Sequence, residues 1–205
     1  MLNMQGITAH RVMAAPLVVL LLVTLLLSGC GINNIPTYDE AVKASWSQVL
    51  NQYQRRSDLV PNLVNTVKGY AKQEKEVLTA VVEARSRVAQ TTLPKDIVTN
   101  KQAFAEFQKN QQQLSSALSR LLVVVERYPD LKSNQNFLAL QSQLEGTENR
   151  ISVARRDYIA AVQKYNTELK TIPGRWWHSL MYSEYQLAEN FTVQEATKEV
   201  PKVQF

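Results

Sequence analysis

The sequence predicts an all-α fold: an antiparallel four-helix bundle of long amphipathic helices with an aromatic-rich C-terminal extension. Three observations point there. Between Phe137 and Leu169, apolar residues recur at alternating steps of three and four, the period of a heptad seam. Residues 38–53, 63–88 and 104–125 carry related stripes. Pro61, Pro94 and Pro129, each near polar residues, punctuate the stripes and leave only short connections. Stripes of this kind are best buried by packing against one another at about 20°, as in an antiparallel bundle.

Arg11 is the one firm charge of the first eleven residues; sixteen mostly apolar residues, 12–27, follow. A helix spanning the hydrocarbon needs about 20 apolar residues, and Pro16 weakens this one as an uninterrupted helix. Residues 1–29 therefore read as a lipoprotein signal peptide. Leu27, Ser28 and Gly29 form the lipobox and Cys30 the lipidation site: the small side chains at 28 and 29 admit a peptidase, and the Cys30 sulfur takes the diacylglycerol. One acyl chain binds with an association constant of only about 10⁴ M⁻¹, whereas two or three hold permanently. The competing reading is an uncleaved transmembrane segment ending in an incidental cysteine. Because Cys30 is the only cysteine, no intramolecular disulfide can form and the core alone must stabilise the fold.

Residues 30–205 suffice for one domain with a real core, divided into a tether at 30–36, a helical domain at 37–170 and an extension at 171–205. The net charge of +5 is mildly basic, and loss of the leader lowers it by one. Arg55-Arg56 and Arg155-Arg156 are isolated pairs among acids, without the clustered face that nucleic acid requires, so nucleic acid is not an expected partner. Basic residues held near anionic headgroups would each contribute about 1 kcal/mol; the alternative is an ordinary solvated helix face.

Thr37 followed by Glu40 forms a capping-box pattern opening the first helix, with Tyr38, Val42, Trp46, Val49 and Tyr53 on its stripe. Pro61 lacks an amide hydrogen and suits the start of a new helix, so a turn or sharp kink is expected at 55–61. The second helix then continues through Leu63, Val67, Tyr70, Val77, Val81, Ala84 and Val88 to about Gln90, with Glu74 in register on its stripe. Residues 91–100 connect, and Asn100 caps a third helix bearing Phe104, Phe107, Gln111, Leu114, Leu118, Leu121 and Val125. Pro129 ends it by restricting Tyr128, and Ser133 is read as the cap of the fourth helix. That helix carries the heptad seam through Ile151, Tyr158 and Tyr165. Residues 31–36 reach about 20 Å when extended, so the bundle is expected to stand close to its membrane. Beyond Pro173 lie Trp176, Trp177, Tyr182, Tyr185, Phe191 and Phe205; this tail either packs along the bundle or seats Trp176 and Trp177 among lipid headgroups.

Catalytic chemistry is not visible. His178 is the one histidine after Cys30, which removes a triad, a His-Glu-x-x-His helix or a His-rich metal site; no metal or cofactor is expected. Gly69, Gly146 and Gly174 are too scattered to cradle a phosphate. Glu145 and Glu148 lie one helical turn apart, and paired carboxylates are what a wall glycosidase needs, yet such pairs are common on exposed helices. Arg55, Arg56, Asp58, Glu74 and Arg150 stand where helices face one another. They are read as an interhelical polar cluster that sets register, with a binding groove as the rival.

Arg55-Arg56-Ser57-Asp58-Leu59-Val60-Pro61-Asn62-Leu63-Val64, Val67-Lys68-Gly69-Tyr70-Ala71, Glu74 and Glu83-Ala84-Arg85 together resemble the LemA family. Tyr128-Pro129-Asp130-Leu131-Lys132, Phe137, Leu140, Glu145, Glu148, Arg150-Ile151, Arg155-Arg156 and Tyr165-Asn166 extend the resemblance over about residues 37–205. It implies a helical bundle outside the cytoplasm beside a membrane, with no established enzymatic activity and no catalytic residues to carry over. It also implies partners, since family genes are often found with TPM-domain membrane proteins or membrane metallopeptidases. Members are usually tethered by an uncleaved N-terminal helix, so the lipobox departs from the common form. Gly31 after Cys30, where an Asp would favour inner-membrane retention, points to the outer membrane in an organism that has one. The expected role is a non-enzymatic interaction or scaffold module in the bacterial envelope; the alternatives are a wall- or lipid-acting enzyme with an unrecognised site, or a membrane-remodelling protein.

Overall fold

The computed structural model describes residues 31–191, and there the chain enters its first helix at Asn34, three residues before Thr37. The amide of Asn34 donates to Gly31 O at 3.0 Å, and the Thr37 hydroxyl donates back to Asn33 O at 2.7 Å. Thr37 is thus inside the helix, Glu40 bonds Lys43, and the capping box does not form. Pro36 is tolerated because first-turn amides have no intrahelical partner to lose. Leu27, Ser28, Gly29 and Cys30 lie outside the described residues, as do residues 192–205 with Phe205.

Among the described residues six helices follow in order: α1 Asn34–Tyr70, α2 Lys75–Gln90, α3 Lys101–Val125, α4 Pro129–Lys132, α5 Gln135–Lys170 and α6 Gly174–Met181. Ladders of side-chain bonds fix their directions. α1 and α5 are antiparallel, joined by Asn34–Glu168 at one end, Arg56–Glu148 midway and Tyr70–Asn134 at the other. α2 runs against α3, with Glu74 on Arg127 and Arg87 on Gln113. α3 runs alongside α1, since Trp46 meets Phe104 while Arg56 meets Ser115.

The turn expected as one alternative at Pro61 is absent: α1 continues through it as one helix. A proline inside a helix cannot donate to the carbonyl four residues back, which here is Ser57 O. That carbonyl accepts instead from Arg85 Nε of α2 at 3.1 Å. The break comes at residues 71–74, where Ala71 N bonds Val67 O and Glu74 N bonds Ala71 O. Its sequence signal is the polar run 72–76, which supplies no apolar side chain to bury. Glu74 therefore stands at a turn and not on a continuing stripe.

Both caps that follow use asparagine side chains. Asn100 Oδ1 accepts from Ala103 N at 3.1 Å, and Asn134 Oδ1 accepts from Phe137 N at 3.0 Å. Asn134 thus takes the role expected of Ser133, whose hydroxyl bonds Asp130 O.

At about 1.5 Å per residue, α1 and α5 run some 55 Å and α2 only about 24 Å, so α2 covers one half of the bundle. There Leu63, Val67, Leu78, Val81, Leu114, Leu121 and Phe137 form one apolar cluster. In the other half, connection 91–100 and the tail take the place of α2. Ile97, Val98 and Ala188 join Trp46, Phe104, Phe107, Tyr158 and Tyr165 in a second cluster. The tail is fastened by backbone-directed bonds: Tyr158 to Glu189 O at 2.8 Å, Tyr165 to Gln186 O at 2.9 Å, and Asn166 in both directions with Ala188. Phe191 inserts its ring among Trp46, Phe104 and Tyr158.

Candidate functional site

Between the two apolar clusters lies a polar layer. Arg56, Ser57, Gln111 and Thr147 are the buried polar residues among those described, and α1, α3 and α5 bring all of them to the middle of the bundle. Arg56 is 1% exposed. One of its terminal nitrogens donates to Ser115 Oγ at 2.6 Å and Glu148 Oε1 at 3.0 Å; the other donates to Gln111 Oε1 at 2.7 Å and Gln111 O at 3.1 Å. Its guanidinium also lies 5.0 Å from the centre of the Tyr53 ring. Burial pushes the Tyr53 phenol above its ordinary range, so Tyr53 stays neutral beside the cation. Glu148, with a side chain 44% exposed, reaches the layer from the rim and supplies the counter-charge.

The predicted cluster is therefore dispersed. Of Arg55, Arg56, Asp58, Glu74 and Arg150, only Arg56 enters the interior. Arg55, Asp58 and Arg150 are exposed, with Asp58 bonded to Gln54 one turn away. The reason is angular: on α1 the inward stripe runs Val49, Tyr53, Arg56, Val60 and Leu63, which turns Arg55 and Asp58 to solvent. Glu74 sits at the far end, accepting from Tyr128 at 2.7 Å and Arg127 at 3.0 Å, and it ties the α1–α2 turn to the end of α3. The partners that do surround Arg56 were legible only indirectly. Gln111 stands on the third helix's apolar seam, and a polar residue at a core position implies a buried partner.

Two open clefts flank the layer. One of about 470 Å³ lies among α1, α2 and α3, lined in part by Tyr53, Ser57, Arg85, Phe107, Asn110 and Gln111. The other, about 440 Å³ between α3 and α5, includes Ser115, Glu145 and Glu148. Glu148 is engaged by Arg56, and Glu145 is exposed and accepts from Gln141 at 3.0 Å. The arrangement holds charge and position; it presents no nucleophile with an adjacent base. Among the described residues, no group of three or more His, Cys, Asp or Glu could hold a metal ion.

At the end of the bundle where α1 starts, Gly31 adopts φ +86°, a left-handed conformation that suits glycine. Glu168 Oε1 accepts from Asn34 Nδ2 at 3.1 Å. A Cβ on Gly174 would press on Glu168 O and come within 2.8 Å of the same Oε1, so only glycine lets α6 fold this tightly against α5. On α6, Trp177 packs inward on the second cluster, while Trp176 is 59% exposed. His178 Nε2 lies 2.9 Å from Tyr185 O and is engaged in holding the tail. Among the described residues, no helix is long and apolar enough to cross a membrane.

Two curated proteins share part of this sequence. Magnetosome proteins MamQ 1 and MamQ 2 of Paramagnetospirillum magneticum are each 35% identical to it over 81 residues, 40% of this chain. The match spans 29% of each relative's length, so most of each relative has no counterpart in the alignment. The LemA family model matches residues 45–205, a span that holds Arg56 with all its partners, Pro61 with Arg85, and α6. The chain belongs to the LemA family.

Proposed function

We propose that this protein is a lipid-anchored component of the bacterial envelope, acylated at Cys30 after cleavage behind Leu27-Ser28-Gly29, that acts as a non-enzymatic helical contact module. Its partner is a protein of the same membrane, such as a TPM-domain protein or a membrane metallopeptidase. The observation that carries the reading is the shortness of the link: only residues 31–33 separate Cys30 from α1. Three residues span at most about 11 Å, so a bundle anchored there stands on its bilayer and offers its long sides to neighbours. The polar layer supports a contact role over turnover, because Arg56 and Glu148 hold each other and are not free to bind or protonate a substrate. Similarity to two magnetosome proteins is compatible with work at a membrane.

Mass spectrometry of the protein purified from cell membranes should show a diacylated or triacylated Cys30 as its first residue. Cross-linking in intact cells should join α1 or α5 to a membrane protein. An intact leader would overturn the lipid anchor. Release of peptidoglycan fragments by the purified protein, lost in Glu148→Gln, would overturn the non-enzymatic role.

A further inference from the structure

Among the described residues, nothing covers the large apolar side chains on the outer face of α6. Trp176 and Leu180 lie one turn apart and are 59% and 75% exposed; Met181 beside them and Ile172 before the helix are also exposed. Trp177, the next residue round the helix, points the other way into the second apolar cluster. Lys170 and Arg175 are exposed at the start of the helix, and Glu184 is the exposed acid beyond its end.

Position decides what covers this face. Ideal Cβ atoms built on Gly31 and Gly174 come within 3.7 Å and 2.8 Å of the same carboxylate oxygen, Glu168 Oε1. Gly31 directly follows Cys30 and the apolar run 12–27 in the chain. Adjacent Cα atoms are about 3.8 Å apart, and an eight-residue helix is about 12 Å long. The Cα atoms of Gly31 and Gly174 are therefore at most about 10 Å apart, and the far end of α6 lies within roughly 20 Å of Gly31, at the end of the bundle that an anchor on residue 30 would hold against the headgroup layer. Indole rings and flanking basic side chains are what an interfacial helix presents to such a layer.

We propose that α6 is an interfacial helix which seats Trp176, Leu180 and Met181 in the headgroup region of a bilayer containing anionic phospholipid, so that the bundle is held at two points and not one. This inference rests on the membrane-anchoring reading given above. With the second point engaged, the bundle has a fixed tilt on the surface; the first alone would leave it free to swing about residues 31–33.

The full chain, purified from cell membranes, is reconstituted into vesicles of phosphatidylcholine and phosphatidylglycerol, with or without bromine atoms on the upper acyl chain. Flotation reports anchoring, and bromine quenching of tryptophan emission reports contact of α6. The expected result is that wild type and Trp176→Phe float equally, while quenching is at least roughly twofold weaker in Trp176→Phe and in Leu180→Glu, with unchanged far-UV circular dichroism. A chain that floats with unquenched Trp176 overturns the α6 contact and leaves the anchor standing; cross-linked dimers in that sample would assign the face to a second copy. A chain that does not float overturns the anchor and this inference with it.

Discussion

If Arg85 is what allows α1 to continue through Pro61, then the two residues must be coupled energetically. Ser57 is 4% exposed, and its carbonyl receives only the Arg85 Nε bond, since Pro61 has no hydrogen to give. Arg85→Ala leaves that carbonyl without a donor, at a cost of about 1.5–3 kcal/mol for a bond made by a charged group. Pro61→Ala restores the ordinary helical donor. Alone it should stabilise, because proline in a helix interior costs about 3 kcal/mol, reduced by about 0.4–1 kcal/mol for the freedom the unfolded chain regains. In the Pro61→Ala background, Ser57 O is already satisfied, so Arg85→Ala should cost less than about 1 kcal/mol, leaving a coupling energy of about 0.5 kcal/mol or more. Urea unfolding of the four chains from Gly31 onward, followed by far-UV circular dichroism and fitted with a common m value, measures this cycle. Equal costs of Arg85→Ala in both backgrounds would refute the reasoning.

Three further outcomes follow from the same geometry. Glu148→Ala strips the counter-charge from a buried guanidinium and should cost about 2–3 kcal/mol, more than Arg56→Met, which removes the buried charge itself; the reverse order of urea midpoints would deny Glu148 that role. Tyr158 and Tyr165 have their phenols raised above the ordinary value near 10, first by burial and then by Glu189 and Asp39 respectively. Their contribution is fully present below pH 10 and is lost above it, where the unfolded chain releases protons that the folded one keeps; each steepens the fall by about 1.4 kcal/mol per pH unit, and Tyr158→Phe should remove one such increment from the measured stability–pH curve. Gly174→Ala drives a methyl into Glu168 O and should cost about 1–3 kcal/mol, with faster amide exchange confined to α6; protection equal to wild type would show that the close approach is not required.

The four long helices were legible because each buries one stripe for most of its length, and periodicity reads that directly. Asn100 was legible as a cap for the same local reason. Pro61 was not, because the donor that replaces its amide comes from Arg85, 28 residues on and in another helix. The turn at 71–74 was hidden by phase: Tyr70 and Val77 are seven apart, so the stripe resumes in register on the far side of the break. In the candidate site, composition drew attention to five charges, whereas burial selects by angle. A one-residue step on α1 separates buried Arg56 from exposed Arg55, finer than a stripe with tolerance of a residue on either side can decide. Glu148 was weighed only as a possible acid, since nothing on its own helix indicates the cation it meets across the bundle.

A heptad seam has a weakness that the polar layer corrects. Sliding α5 by seven residues against α1 again faces apolar side chains with apolar side chains, so the seam alone distinguishes such registers poorly. The ion pair distinguishes them. A slip of one heptad in one direction sets Arg155 opposite Arg56 and brings a second positive charge to the rim beside the buried one; a slip in the other sets Gln141 there and leaves the guanidinium without a counter-ion. Either costs more than an apolar mismatch would, because an uncompensated charge in the interior forfeits several kcal/mol. The observed register alone supplies Glu148 from α5 together with Gln111 and Ser115 from α3, which fixes the third helix as well. It also fixes the two ends, 22 and 14 residues along α1 from Arg56, where Asn34 meets Glu168 and Tyr70 meets Asn134. The position of α6 beside residue 31 thus depends on a charge pair buried halfway along the bundle.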